Sequence, residues 1–130
     1  ILDKNSIDKF DYVLADVPCS GLGIIRRKPE IKYKAKAELK DLPKIQKNIL
    51  DNASKYVKVG GTLIYSTCTI QDNENMEVVK EFLDNNNNFK LVPINEVKVD
   101  LDNQENGYLK IYPNIHDIDG FFIAKLERVR

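Results

Sequence analysis

Apolar residues fall in short runs separated by polar loops, with one long helical stretch between the first two runs. Phe10-Asp11-Tyr12-Val13-Leu14-Ala15-Asp16-Val17 has the pattern of a parallel strand buried on both faces, and Pro18 stops it. Ser20, Gly21 and Gly23 then make a loop that Arg26-Arg27-Lys28-Pro29 carries outward. From about Ala35 the period turns helical, with Leu42, Ile45, Ile49, Ala53 and Tyr56 on one face. Pro43 suits a helix start, Asp41 is placed to cap it, and Gly60-Gly61 is expected to end it.

Thr62-Leu63-Ile64-Tyr65-Ser66 reads as a second strand, followed by a loop holding Thr67, Cys68 and Thr69. Asp72 is placed to cap a further helix, with Met76, Val79 and Leu83 on one face and Glu74 favouring the first-turn dipole. Asn85 to Asn88 is a polar turn, Phe89-Lys90-Leu91-Val92 a third strand, and Pro93 to Asn106 an irregular connection. Tyr108 to Tyr112 and Gly120 to Leu126 complete the β content. The order predicts an α/β fold: half of a doubly wound, Rossmann-like sheet with late strands added.

Composition narrows the class. A chain of 130 residues, 42% hydrophobic and 31% charged, fits one packed domain and excludes long disorder. Twenty basic residues balance twenty acidic ones, so any nucleic-acid contact must come from a local patch. Two cysteines are too few for a disulfide framework, and no apolar run approaches the roughly 18 residues that span a bilayer. The expected setting is the reducing cytoplasm. A chain opening at Ile1, whose one methionine is Met76, is expected to be a domain excerpt.

Both cysteines follow the carboxyl end of a predicted strand, and one crossover helix joins the two strands. Such a crossover leaves the strands parallel, and ligands in these sheets bind outside the carboxyl ends. Cys19 and Cys68 are therefore expected on one rim if the strands are neighbours. Buried cysteines acting as small hydrophobes are the alternative, but both lie in polar Gly/Ser/Thr loops.

The segments around the thiols carry a resemblance. Asp16-Val17-Pro18-Cys19-Ser20-Gly21-Leu22-Gly23, followed by Arg26-Arg27-Lys28-Pro29-Glu30, resembles the Pro-Cys signature of RNA cytosine-5 methyltransferases. Gly60 to Thr69, with Glu74-Asn75 beyond, resembles their Thr-Cys signature, and Asp119-Gly120-Phe121-Phe122-Ile123-Ala124 their closing strand. Gln46, Leu50 and Ala53 fit the intervening helix. Within the family the likeness is to the bacterial Sun group, acting on small-subunit (16S) ribosomal RNA, and it runs from about Asp11 to Leu126. Val17, Tyr33 and Met76 depart from the residues usual there. No Gly-x-Gly loop followed by an acidic strand end is present. The resemblance thus implies that residues 1–130 are the carboxy-terminal part of a class I methyltransferase domain. The main S-adenosylmethionine loop and any amino-terminal RNA-binding domain are expected outside it, leaving the fragment inactive alone.

The resemblance assigns the chemistry as well. Carbon 5 of cytosine is a weak nucleophile, and a thiolate adding to carbon 6 activates it, splitting one hard step into two. That attack is assigned to Cys68, with Cys19 in product release and Asp16 against the cytosine. Pro18 fixes that loop, and Asp16 and Pro18 are the residual cofactor contacts. Arg26, Arg27 and Lys28 are candidate RNA contacts, with Lys32, Lys34 and Lys36 extending a stretch that could equally be a solvated face. His116 reads as a loop residue, and Glu74 and Asn75 as a helix first turn that the resemblance also permits to brace the Cys68 loop. The partner implied is ribosomal RNA, with no membrane, no metal and a monomeric state. Three alternatives stand beside this: a DNA cytosine-5 methyltransferase using the Pro-Cys thiol, a thiol redox module, and an inert scaffold.

Overall fold

The computed structural model describes residues 3–34, 39–98 and 101–130, so the expected helix start at Ala35 and the lysine at 36 lie outside the described residues. In chain order the elements are β1 (Phe10–Asp16), α1 (Leu42–Ser54), β2 (Val57–Thr67), α2 (Met76–Asn85), β3 (Phe89–Leu91), β4 (Tyr108–Ile111), α3 (Pro113–His116) and β5 (Phe121–Arg128). They form a five-stranded sheet of order β1-β2-β5-β3, with β4 also paired to β5. β1 and β2 are parallel, whereas β5 is antiparallel to β2, β3 and β4. The mixed α/β expectation with late antiparallel strands holds. β3 and β4 lie end to end on one edge of β5, Leu91 opposite Leu126 and Tyr108 opposite Ala124.

Alternation explains the core. Leu63, Tyr65 and Thr67 of β2 and Phe122, Ala124 and Leu126 of β5 are buried, while the residues between them are only half-buried. Against that face pack Leu50 of α1 and Val78, Val79 and Phe82 of α2. Fully burying a side chain such as Leu63 or Phe82 contributes about 1.5–3 kcal/mol.

Three expectations are corrected. β1 is not buried on both faces: Phe10, Tyr12 and Leu14 are exposed and only Ala15 on it is buried, because α1 and α2 pack against the face that Val13 and Ala15 share. Gly60-Gly61 do not end the helix, which stops at Ser54; they lie inside β2, where Gly60 has φ +79° and the β1–β2 register shifts. The buried ridge of α1 is Gln46, Leu50 and Ser54, with Ile45 exposed, and Gln46 is buried against the Pro18 carbonyl and the Glu74 carboxylate. Asp41 takes the cap position but its side chain makes no capping bond. Asp72 starts a 3₁₀ turn, Asp72–Glu74, and Asn75 occupies the cap position of α2.

Candidate active site

The parallel register sets the site. Asp16 lies opposite Ser66, and the Val17 amide donates to the Ser66 carbonyl at 3.1 Å, so both strands leave the sheet side by side. The next residues therefore meet: Cys19 Sγ and Cys68 Sγ are 3.2 Å apart, and Ser20 Oγ and Thr69 Oγ1 are 2.8 Å apart. Both cysteines are free thiols, partly accessible. The single rim expected for them is the one observed.

Beneath the thiols is a buried polar layer. The Glu74 carboxylate, 2% exposed, accepts from the Ser20 amide at 2.8 Å, Ser20 Oγ at 2.6 Å, Gln46 Nε2 at 3.0 Å and Thr69 Oγ1 at 3.3 Å. Gln46 Nε2 also donates to the Pro18 carbonyl at 3.0 Å, tying α1 to the Cys19 loop. Asn75 accepts from Thr67 Oγ1 at 2.5 Å and donates to the Thr69 carbonyl at 3.0 Å, fixing the Cys68 loop from both sides. Tyr65 Oη donates to the Glu74 carbonyl at 2.5 Å, and burial pushes that phenol well above its ordinary range. Gln46 Oε1 is buried without a partner, but the other polar side-chain atoms of this layer are hydrogen-bonded, which fixes both loops at once.

A backbone clamp adds to it. The Gly23 amide donates to the Cys68 carbonyl at 3.0 Å, and the Gly120 amide donates to the Gly23 carbonyl at 2.7 Å. A Cβ on Gly23 would lie 2.6 Å from the Gly120 carbonyl carbon and 2.8 Å from the Cys68 oxygen, so only glycine fits. Burial, then the hydrogen bond with Cys68, pushes the Cys19 thiol up to about 12, against weaker help to its anion from the Cys68 and Gly21 amides. Cys19 thus keeps its proton at neutral pH and has an S–H to offer in the thiol–thiol contact.

The other sequence candidates are placed as follows. Ser66 Oγ donates to Asp16 Oδ1 at 2.9 Å, at the exposed end of β1. Arg27 Nε pairs with Asp119 Oδ2 at 2.6 Å, and Arg26 lies 3.5 Å from Asp117 and 3.6 Å from Asp119. Lys28 and Lys32 are exposed and make no ion pair among the described residues, while Lys34 Nζ donates to the Ser20 carbonyl at 3.4 Å. His116 Nδ1 accepts from its own turn's Tyr112 amide at 3.0 Å, far from proton-transfer duty at the thiols in sequence and bonding. Among the described residues no cluster of three metal-ligating side chains occurs, and no helix is long and apolar enough to cross a membrane.

Sequence reasoning reached the thiols and missed the joint beneath them. Glu74 and Asn75 were expected in a helix first turn, with bracing of the Cys68 loop permitted by the resemblance but no link to Ser20; the burial of Glu74 follows from the 3₁₀ turn that swings it under Ser20. The signal was present in two places: a hydroxyl residue directly after each cysteine, and a glutamine on the inward ridge of α1.

Residues 2–127 match the family described as 16S rRNA methyltransferase RsmB/F. A probable ribosomal RNA small subunit methyltransferase B of Bacillus subtilis is 39% identical over 127 residues, covering 93% of this chain and 28% of that protein. A ribosomal RNA small subunit methyltransferase F of Vibrio cholerae is 36% identical, covering 94% of this chain and 27% of that protein. Among solved structures, NSun6 from Pyrococcus horikoshii, determined with SFG, superposes with a TM-score of 0.74 at 30% identity, covering 90% of this chain and 29% of that one. The chain therefore spans about a quarter of the length of these curated relatives.

Proposed function

The chain belongs to the RsmB/F family of 16S rRNA methyltransferases, and from that premise we propose that it carries the thiol machinery for methylating carbon 5 of a cytosine in small-subunit ribosomal RNA. The observation that carries the reading is the pair of thiols 3.2 Å apart at the carboxyl ends of two parallel strands.

Cys68 adds as thiolate to carbon 6 of the cytosine, forming a carbon–sulfur bond and pushing electron density to carbon 5. Cys19, holding its proton against the Cys68 sulfur, supports the attacking thiolate through an S–H···S hydrogen bond. After methylation a base takes the carbon-5 proton, the carbon–sulfur bond breaks with its electron pair returning to Cys68 as thiolate, and Cys19 serves this release by donating its S–H to the departing sulfur. Asp16, held at one oxygen by Ser66, meets the cytosine's exocyclic amine and ring nitrogen. The base must leave its stack to reach this rim, which suits single-stranded or looped RNA.

S-adenosylmethionine supplies the methyl group when bound. The chain offers it a partial fit: Asp16 is an exposed acid at the end of an open-edged strand, suited to a cationic, hydroxyl-bearing molecule, and Pro18 borders it. Residues 1–130 are then the carboxy-terminal part of a methyltransferase domain whose main cofactor loop lies elsewhere in a monomeric, cytoplasmic protein.

The test is methyl transfer to small-subunit ribosomal RNA by the complete gene product and its variants. Cys68→Ala is expected to abolish 5-methylcytosine, and Cys19→Ala to accumulate a covalent protein–RNA adduct. An adduct that depends on Cys19 instead would favour DNA-type cytosine-5 chemistry. A reversible Cys19–Cys68 disulfide without methyl transfer would favour the redox module, the one rival that the short thiol separation also suits.

A further inference from the structure

A cavity of about 390 Å³ opens beside the Cys19 loop, lined by Leu22, Gly23, Ile25, Arg26, Pro29, Lys32 and Pro113. We propose that it seats the nucleotide next to the target cytosine on the same RNA strand, its base against Leu22, Ile25, Pro29 and Pro113 and its phosphate on Lys32 and Arg26. The inference rests on the cytosine-5 reading above and extends it to how the strand is held.

Continuity with the thiols is the first support. Gly23, in the cavity wall, donates to the Cys68 carbonyl at 3.0 Å, so wall and nucleophile belong to one hydrogen-bonded unit. A cytosine presented to Cys68 brings its strand to the rim that this wall adjoins.

The lining chemistry is the second. Aliphatic side chains and two proline rings offer rigid apolar surface, which accepts the face of any base without reading its edge. The cavity's size falls within the roughly 300–1,000 Å³ of small-molecule sites.

Charge is the third. Lys32 is exposed and makes no ion pair among the described residues. Arg27 takes Asp119 closely at 2.6 Å, whereas Arg26 meets Asp117 Oδ1 at 3.5 Å, the Asp117 carbonyl at 3.3 Å and Asp119 at 3.6 Å, which leaves the second N–H of each terminal nitrogen for a phosphate. On this side Arg26, Arg27 and Lys32 outnumber the acids they meet, Asp117 and Asp119, whereas Asp16 at the end of β1 makes no ion pair among the described residues. That contrast sends the RNA backbone to the cavity and the cationic cofactor to the β1 edge.

The experiment uses the complete protein, ribosomal RNA fragments carrying 4-thiouridine beside the target cytosine, and the exposed variant Lys32→Glu. Photocrosslinks are expected on the peptide spanning residues 22–33 from the adjoining position, and not from positions several nucleotides away. Lys32→Glu should raise KM for RNA about five- to tenfold, leave KM for S-adenosylmethionine unchanged, and flatten the salt dependence of RNA binding by about 0.7 in slope. Unchanged RNA affinity, crosslinks outside residues 22–33, or a rise confined to KM for S-adenosylmethionine would overturn the assignment. Crosslinking needs no turnover, so a wild-type protein that fails to methylate would sink the parent reading while the crosslink still decides the cavity.

Discussion

Removing the Glu74 carboxylate should loosen both thiol loops together, and the cost can be worked from its partners. Glu74→Ala leaves the Ser20 amide, donated at 2.8 Å, with no acceptor; an orphaned buried donor costs about 1–3 kcal/mol. Gln46 Nε2 keeps the Pro18 carbonyl, and the Ser20 and Thr69 hydroxyls keep each other, so their losses add about 1 kcal/mol more. The sum is about 2–4 kcal/mol. Glu74→Gln behaves differently. Its amide oxygen can take the Oε1 position and accept from the Ser20 amide and Gln46 Nε2, while its NH₂ faces the Ser20 and Thr69 hydroxyls, which can turn to accept. That variant should cost less than about 1 kcal/mol. The readout is hydrogen exchange in the complete protein at the Val17 and Gly23 amides, whose acceptors, the Ser66 and Cys68 carbonyls, survive both substitutions. At 1.4 kcal/mol per tenfold, Glu74→Ala should speed their exchange about 30- to 700-fold and Glu74→Gln less than about fivefold. Equal effects of the two variants, or protection unchanged in Glu74→Ala, would refute the claim that this carboxylate joins the loops.

Other expectations follow from the same geometry. Because burial and the Cys68 hydrogen bond hold Cys19 protonated to about pH 12, iodoacetamide at pH 8 should label Cys68 well ahead of Cys19, as peptide mass spectrometry would read; preferential Cys19 labelling would contradict it. The same shift predicts the sign of a stability trend. The unfolded thiol, ordinary value 9.0, loses its proton first, so this contribution to stability is intact below pH 9 and declines as pH rises towards about 12, measurable by urea midpoints. Gly23→Ala should displace the Cys68 loop, since all three atoms facing the new Cβ are backbone; loss of the thiol–thiol contact would register as slower Cys19–Cys68 disulfide formation under mild oxidant, and an unchanged rate would refute it.

The strand–helix–strand unit was legible because each element has its own local signal. Residues 10–17 and 62–66 are short apolar runs, and the helix between them has a start marked by Pro43. The thiols were legible as a pair because topology alone brings successive strand ends to one rim. Partners separated by long stretches of chain were not legible. Nothing in the first turn after Cys68 says that Glu74 will reach Ser20, 54 positions away, because that contact depends on how two loops descend from the sheet. Burial was misjudged at β1 for a related reason: Phe10, Tyr12 and Leu14 look like core residues, yet exposure depends on what covers each face of the sheet, and the helices pack on the face that Val13 and Ala15 share. The basic stretch was legible as charge but not as pairing; Arg27 proved to be committed to Asp119, 92 residues downstream in space-filling terms only the fold could supply.

The divided edge of β5 carries an evolutionary consequence. Lys125 grips the chain on both sides of a detour, its carbonyl accepting from the Val92 amide and its own amide donating to the Gly107 carbonyl. With both ends pinned to one residue of the sheet, the intervening segment can lengthen without moving a strand. Doubling such a loop costs only about 0.6 kcal/mol in closure entropy. Descent with modification therefore has a place here to graft new contacts onto an unchanged thiol site, and lineages should differ in this excursion while agreeing at the rim.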